Sequence, residues 1–533
     1  MKNGALAEIG MALALVLSPR RRLQRLSKAV SGDDKHKSRE AEMAVSEPSD
    51  LLQDELWCER IFTGDWIRPL GGSNSVYEPA TGEVLTVTGL ADAADIAFAS
   101  LSAARVQPAW AALGPRERAE IFRKAAALAQ QHFAELALYI ARESGGSLFK
   151  GEHEVREAIV LLHQAAGLLS QPHGLVLPSE AGRLSYARRL PHGVVGVISP
   201  FNFPLVLSLR SVAPALAAGN AVVLKPDPQT PVSGGFIIAR LFEAAGLPKG
   251  LLQVLPGTAV AGEALCRDPH VRMIAFTGST AAGRKVAEVA GRHLKKVALE
   301  LGGKNSLIVL EDADLDLAAS NAAWGAWLHQ GQICMATGRI LAHESIAEEL
   351  VRRLAEKART ITVGNAARGE AVLGPLINKR QLQRVHEIVT DSLRVGASLE
   401  AGGEFDQLFY QPTVLSGVRP GMRAFDEEIF GPVATVVSFA DDEEAIELAN
   451  RTEYGLSAGI ISPSLGRAMA MGERLNCGLL HINDQTVADE CINPFGGRGS
   501  SGNAGSVGGP ADWDEYTQWQ WVTVKDTAPR YPF

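Results

Sequence analysis

Cys334 lies in Gly331-Gln-Ile-Cys-Met-Ala-Thr-Gly-Arg339, a polar run unlike the Leu-rich setting of Cys266. A thiol placed at a loop-to-helix junction near positive charge has its pKa lowered and can act as a nucleophile. The other reading of a lone cysteine is a small buried hydrophobe. Glu300 sits inside the strand-like run Val297-Ala-Leu-Glu-Leu and is followed by Gly302, Gly303 and Lys304. Burial raises a carboxyl pKa into the range of a general base, whereas a strand-end Glu paired with Lys304 has no such role. Asn202 lies in Pro200-Phe-Asn-Phe-Pro-Leu205. Two prolines fix that loop, so the amide is held as a donor of the kind an oxyanion needs; an Asx turn is the alternative.

Four further segments have anion- or nucleotide-binding chemistry, each with a bland counterpart. Gly278 and Ser279 form the turn of Phe276-Thr-Gly-Ser-Thr, between a strand and the expected helix 281–294. Free amides at a helix start can hold a phosphate, although no GxGxxG pattern is present. Lys225 ends the strand 220–224 and precedes Pro226-Asp227-Pro228, at the sheet edge where nucleotides bind in doubly wound folds. Glu427, Glu428 and Phe430 occur in Glu427-Glu-Ile-Phe-Gly-Pro-Val433, which otherwise reads as a charged loop entering a strand. The fourth segment, Pro494-Phe-Gly-Gly497, reads as a loop.

The elements that must position these groups alternate. Short apolar strands are expected at 193–199, 220–224, 251–255 and 271–276, and helices at 91–106, 115–145 and 232–245. A second alternating block begins at 297–301 and 306–310 and continues through helix 347–359, strand 433–439 and helix 442–450. This pattern predicts an α/β protein with doubly wound parallel sheets. Residues 174–190 read as a hairpin and 517–525 as a late strand, both outside the two blocks, which suggests a small third sheet.

Composition narrows the function classes. The chain has 533 residues, 46% hydrophobic and 21% charged, with a net charge of −8. Residues 1–40 carry nine Lys/Arg against four Asp/Glu, which leaves −13 for residues 41–533. A basic footprint for nucleic acid is absent. Five cysteines without a CxxC pair form no disulfide framework and no zinc ribbon, and they suit a reducing compartment such as the cytoplasm. No metal site is expected. The apolar run 9–17 is too short to span a bilayer and its positive charge follows rather than precedes it. Residues 1–50 therefore read as a flexible extension, 31–50 as its linker, with 1–42 dispensable and Met43 a plausible start; a weak membrane-surface or targeting role is the alternative, and no stable membrane association is expected.

In this order, the motifs PFNFP, LKP, FTGST, LELGGK, GQxC, EEIFGPV and PFGG resemble the aldehyde dehydrogenase superfamily over residues 55–530. The resemblance implies that Cys334 attacks the aldehyde carbonyl, that Asn202 with the Cys334 amide stabilises the oxyanion, and that Glu300 activates the hydrolytic water. NAD would be held by Ser199, Pro200, Lys225, Pro228, Gly278, Ser279, Glu428 and Phe430. Phe203, Leu207 and Arg210 would meet the substrate.

The implied domains are 51–172 with 192–300 for the dinucleotide, 301–514 for catalysis, and 173–191 with 515–530 for assembly into a homodimer or homotetramer. Pro228 stands where many members carry a ribose-binding Glu, so NADP is expected as a second cofactor. The C-terminal run QWQWVTVKDTAPRYPF resembles the benzaldehyde and salicylaldehyde dehydrogenase branch. Together with the apolar entrance helix Leu205, Val206, Leu207 and Leu209, it points to aromatic aldehydes. A CoA-acylating enzyme generally lacks the Glu. Succinate-type semialdehyde enzymes often have a second Cys where Ala336 stands. A catalytically silent relative would not be expected to keep Cys334, Glu300 and Asn202 together.

Overall fold

The computed structural model describes residues 51–533, and the expected extension 1–50 lies outside them. Two seven-stranded sheets dominate. The first contains five strands that we label β1 (Val194–Ile198), β2 (Ala221–Lys225), β3 (Leu252–Val254), β4 (Val271–Thr277) and β5 (Lys296–Glu300). Their order in space is β5-β4-β1-β2-β3, all parallel, with two short antiparallel strands at 61–62 and 66–67 beyond β3. β1 and β2 are buried along their whole length. Their Val-, Ile- and Leu-rich sequences, broken only by Gly196 and the terminal Lys225, suit strands covered on both faces. The chain runs outward from β1 through β2 to β3, then returns to the other side of β1 for β4 and β5. The strand order therefore reverses between β1 and β4.

The second sheet follows directly. It holds β6 (Asn305–Val309) and β7 (Thr337–His343), flanked by parallel strands 413–416, 433–439, 457–461 and 479–482, with the antiparallel strand 398–401 at one edge. The small third sheet is present. Strand 517–525 pairs antiparallel with 183–191 from Thr517↔Pro191 to Lys525↔Arg183, and 174–176 lies on the far side of 183–191.

Two expected helices differ in detail. The run 115–145 is divided into Pro115–Gln131 and Phe133–Ser144, with His132 at φ −100° and ψ 21° between them. The helix expected at 232–245 opens with a wide π-turn over Val232–Phe236 and becomes α-helical at Ile237. There the buried Glu143 carboxylate accepts from the amides of Val232 (3.1 Å) and Ser233 (2.7 Å), which caps the widened turn. Among the described residues, no helix is long and apolar enough to cross a membrane.

Candidate active site

The carboxyl ends of β1, β2, β4 and β5 share one edge of the first sheet. Ser199 and Pro200 leave β1, Lys225 ends β2, Gly278 and Ser279 follow β4, and Glu300 ends β5. Because the strand order reverses between β1 and β4, the space between their outgoing loops is the usual ligand position in such sheets. Ser279 is exposed and caps helix α1 (Thr280–Arg292), its Oγ accepting from the Ala282 amide at 3.3 Å. Lys225 is no surface lysine. It is 7% exposed, and its Nζ donates to the carbonyls of Pro226 (3.2 Å) and Gly257 (2.8 Å), so one of its three N–H groups is left over. Pro228 is half-buried, and its carbonyl accepts from Asn74 Nδ2 at 3.0 Å.

The glycine pair after Glu300 has a steric reason. A Cβ on Gly302 would stand 2.5 Å from Glu428 Oε2, and one on Gly303 would stand 2.6 Å from the Cys334 carbonyl oxygen. Glu428 accepts from the Gly303 amide at 3.2 Å, and burial pushes its carboxyl up to about 7. Phe430 has φ +58° and meets Phe201 edge-on at 6.0 Å. Gln381 Nε2 donates to its carbonyl at 2.8 Å and holds this left-handed residue in place.

Cys334 lies in a turn between a 3-10 segment (Leu328–Gly331) and β7, with no helix beginning there. The expectation of a thiol acidified by a helix start is therefore corrected. Burial first, then the negative charges of Glu428, Glu300 and Asp489, push the thiol up to about 12. The turn is pinned from several sides. Asn305 Nδ2 donates to the carbonyls of Cys334 (2.9 Å) and Ala336 (2.8 Å), and Thr486 Oγ1 donates to that of Met335 (2.7 Å). His329 and Gln330, just upstream, are both left-handed at φ +48° and +55°, a conformation that costs energy in residues other than Gly.

Asn202 is 4% exposed and donates one amide hydrogen to the Gln332 carbonyl at 3.0 Å, which leaves the second available. Glu300 is not paired with Lys304. Its Oε2 is buried without a partner, and burial raises its carboxyl well above the usual range.

Asn202 and Cys334 line one cavity of about 380 Å³. Phe149, Phe203, Val206, Leu207, Trp324 and Phe495 supply its apolar wall. Helix α2 (Pro204–Ala217) contributes only Val206, Leu207 and Arg210; Leu205 and Leu209 point into the core instead. The resemblance has Arg210 meeting the substrate. It is in fact 3% exposed, its Nη2 donates to Asp489 Oδ2 at 2.8 Å, and the guanidinium lies 4.9 Å from the Phe495 ring centroid.

The amino end of α2 is held by Glu154, whose Oε2 accepts from the amides of Leu205 (3.0 Å) and Val206 (3.2 Å) while Oε1 pairs with Lys150 at 2.5 Å. Sequence reasoning missed Glu154, Lys150, Asn305 and Asp489. Only Asn305, next to the LELGGK run, had a local signal.

The arrangement brings together a thiol, a carboxyl of raised pKa and an amide donor beside the strand-end edge where ligands bind in such sheets. A model of the aldehyde dehydrogenase family matches residues 66–522. The chain belongs to the aldehyde dehydrogenase family.

Relatives of this aldehyde dehydrogenase include a vanillin dehydrogenase from Amycolatopsis sp., 53% identical over 91% of this chain and 100% of that protein. A benzaldehyde dehydrogenase [NAD(+)] from Pseudomonas putida is 48% identical over 90% of this chain and 99% of its own length. Among solved structures, an aldehyde dehydrogenase from Bacillus cereus in complex with NAD+ superposes with a TM-score of 0.85 at 35% identity. That match covers 88% of this chain and 96% of the other.

Proposed function

We propose that this enzyme oxidises an aromatic aldehyde of the benzaldehyde type to its carboxylic acid, with NAD as the hydride acceptor. The observation that carries the reading is the cavity. Cys334 and Asn202 share it with four aromatic side chains, Phe149, Phe203, Trp324 and Phe495, which suit a flat ring. The vanillin and benzaldehyde dehydrogenases among its relatives support the same substrate class.

The residues divide the work as follows. The Cys334 thiol passes its proton to water as Sγ attacks the carbonyl carbon. The oxyanion that forms is met by the spare Asn202 amide hydrogen and the Cys334 backbone N–H. NAD, when bound, would supply the hydride acceptor, and loss of hydride from the tetrahedral centre would leave a thioester on Cys334. Glu300 then takes a proton from water, the hydroxide oxygen adds to the thioester carbon, and the acid leaves as the thiol is restored. A raised carboxyl is a stronger base than an ordinary one, which fits Glu300 for that step. Ser199, Pro200, Gly278 and Ser279 lie at the strand-end edge for the dinucleotide phosphates, Lys225 offers its third N–H to the adenosine ribose, and Glu428 with Phe430 serves the nicotinamide end. Pro228 can neither bind a ribose diol nor repel a 2′-phosphate, so NADP is accepted behind NAD.

A semialdehyde substrate fits the cavity poorly. Its two lining cations, Lys150 and Arg210, are already paired with Glu154 and Asp489, while Glu157, Asp484 and Glu490 add negative charge. An aldehyde bearing a carboxylate would be repelled.

The third sheet presents exposed Leu175, Val176, Leu184, Trp519, Trp521 and Val524, and strand 517–525 is one of its edges. This combination supports a homodimer or homotetramer built on that sheet. All five cysteines are free, which suits the cytoplasm.

Comparing kcat/KM for benzaldehyde, acetaldehyde and a four-carbon semialdehyde, each with NAD and with NADP, tests the reading. Benzaldehyde should lead by roughly tenfold or more, from ring burial at about 25 cal/mol per Å². Acetaldehyde or the semialdehyde outperforming it would overturn the aromatic assignment.

A further inference from the structure

Lys150 and Glu154 are buried, ionisable and unused by the chemistry above. They lie one turn apart on the helix Leu148–Leu168 and are 2% and 0% exposed. Taking two charges out of water costs free energy that an apolar pair would not. What they hold is the start of α2. Pro204 opens that helix and has no N–H, so the first unanswered donors are the amides of Leu205 and Val206. The N-cap residue, Phe203, has no side chain that can accept them. Glu154 Oε2 accepts both, at 3.0 and 3.2 Å, and its charge faces the positive end of the helix. Lys150 fixes the carboxylate in turn. Its Nζ stands 2.5 Å from Glu154 Oε1, donates to Ser144 Oγ at 3.0 Å and lies 4.9 Å from the centroid of the Phe203 ring.

Asn202 lies just two residues before Pro204. From the other side, its Nδ2 donates to the Gln332 carbonyl, and Gln332 is anchored where its Oε1 accepts from the Ile377 amide at 3.1 Å. That bond uses one amide hydrogen of Asn202. The direction of the second is set by where the backbone carries residue 202. The loop 199–203 runs straight into α2, so a shift in the first turn of α2 shifts the donor. A donor moved away from the developing oxyanion loses most of its effect.

We infer that Lys150 and Glu154 are positioning residues for the oxyanion donor. Glu154 fixes the first turn of α2 and through it Asn202, while Lys150 holds Glu154 in its accepting pose. The inference rests on the reading of Asn202 as that donor and extends it. No proton is exchanged, and the effect travels through the backbone.

The test is a double-mutant cycle on the full-length enzyme. It is read as the rate of the first turnover, the NADH formed on rapid mixing with NAD and saturating benzaldehyde. Asn202→Ala should slow it by about 10²- to 10³-fold. Lys150→Met with Glu154→Leu removes the cap and leaves no unmatched charge. This pair should slow the first turnover by about tenfold or more, with NAD affinity by calorimetry unchanged. In the Asn202→Ala background the same pair should slow it by less than about twofold, because the donor it positions is gone. Lys150→Met with Glu154→Gln keeps a neutral oxygen for the two amides and should recover most of the rate.

Equal losses in the wild-type and Asn202→Ala backgrounds overturn the inference, because a merely structural contribution acts whether or not the donor is there. A first turnover at the wild-type rate in the pair without the cap overturns it as well, as does no recovery with Glu154→Gln. Should the pair without the cap fail to fold, Glu154→Asp takes its place in the same cycle; it keeps the charge and withdraws the carboxylate by one methylene. Failure of the parent reading is distinct: Asn202→Ala by itself would then leave the first turnover unchanged, and the inference would fall with it.

Discussion

The two faces of the reaction centre are built in different ways. On the nucleotide side, Lys225 and Ser279 sit at or just beyond the ends of parallel strands and Glu428 on a loop, and their polar atoms are answered mostly by backbone. Lys225 bonds two carbonyls, Ser279 caps α1, and Glu428 takes the Gly303 amide. On the aldehyde side, the groups are buried or half-buried and several have needs unmet. Glu300 Oε2 has no partner, the Cys334 thiol is held up near 12, and His329 and Gln330 are left-handed. A binding edge can be assembled from regular structure, whose strand ends and helix starts already present donors and acceptors. A reacting centre keeps groups in states that relax only during the reaction, and the surrounding packing must hold them there.

If that contrast holds, losses on the aldehyde side should be large and losses on the nucleotide side small. Cys334→Ala should lower turnover by about 10⁴-fold or more and abolish the NADH burst, because both chemical steps pass through the thiol. Residual turnover near the wild-type rate would dissolve the contrast. Glu300→Gln should cut steady-state turnover by roughly 10²- to 10³-fold while a burst remains, since the group serves hydrolysis rather than attack. Rapid-mixing absorbance at the NADH band separates the two phases, and loss of the burst would move Glu300 into the first step.

The raised thiol makes a third claim, about the enzyme without cofactor. A pKa pushed up leaves less thiolate at any given pH, so alkylation of Cys334 by iodoacetamide should still be rising through pH 9. At pH 7 it should be at least about tenfold slower than alkylation of the exposed Cys58, as read by peptide mass spectrometry. A plateau at Cys334 below pH 8 would contradict the burial argument.

The smallest effect belongs to the nucleotide edge. Pro228→Glu should raise the NAD/NADP ratio of kcat/KM by a few-fold to about tenfold, because a carboxylate there binds a diol and repels a phosphate. A wild type with no measurable NADP activity would remove the premise.

Much of the nucleotide edge was legible in the sequence. Short apolar runs such as 220–224, followed by Lys-Pro, or 271–276, followed by Thr-Gly-Ser, specify strand, stop and turn within a few residues. Strand 517–525 also followed from its neighbours alone. The ordered motifs likewise pointed to Cys334, Glu300 and Asn202.

Their physical states did not follow from local sequence, because each depends on residues far along the chain. The sequence suggested an acidified thiol at a helix start; the fold instead surrounds Cys334 with Glu428, Glu300 and Asp489 and gives it no helix. Leu205 and Leu209 share a helix with Val206 and Leu207, yet only the packing of α2 decides that the first two are wholly core, Val206 packs in the core while touching the cavity, and Leu207 lines the cavity.

Arg210 and Asp489 are 279 residues apart. Either alone reads as a surface charge, and nothing local to one signals the other. Chain order and side-chain type encode strands, turns and candidate chemistry, because those are short-range steric and hydrophobic effects. Charge pairing, burial and the resulting pKa shifts arise only when distant segments share a low-dielectric interior, so the tertiary structure alone settled them.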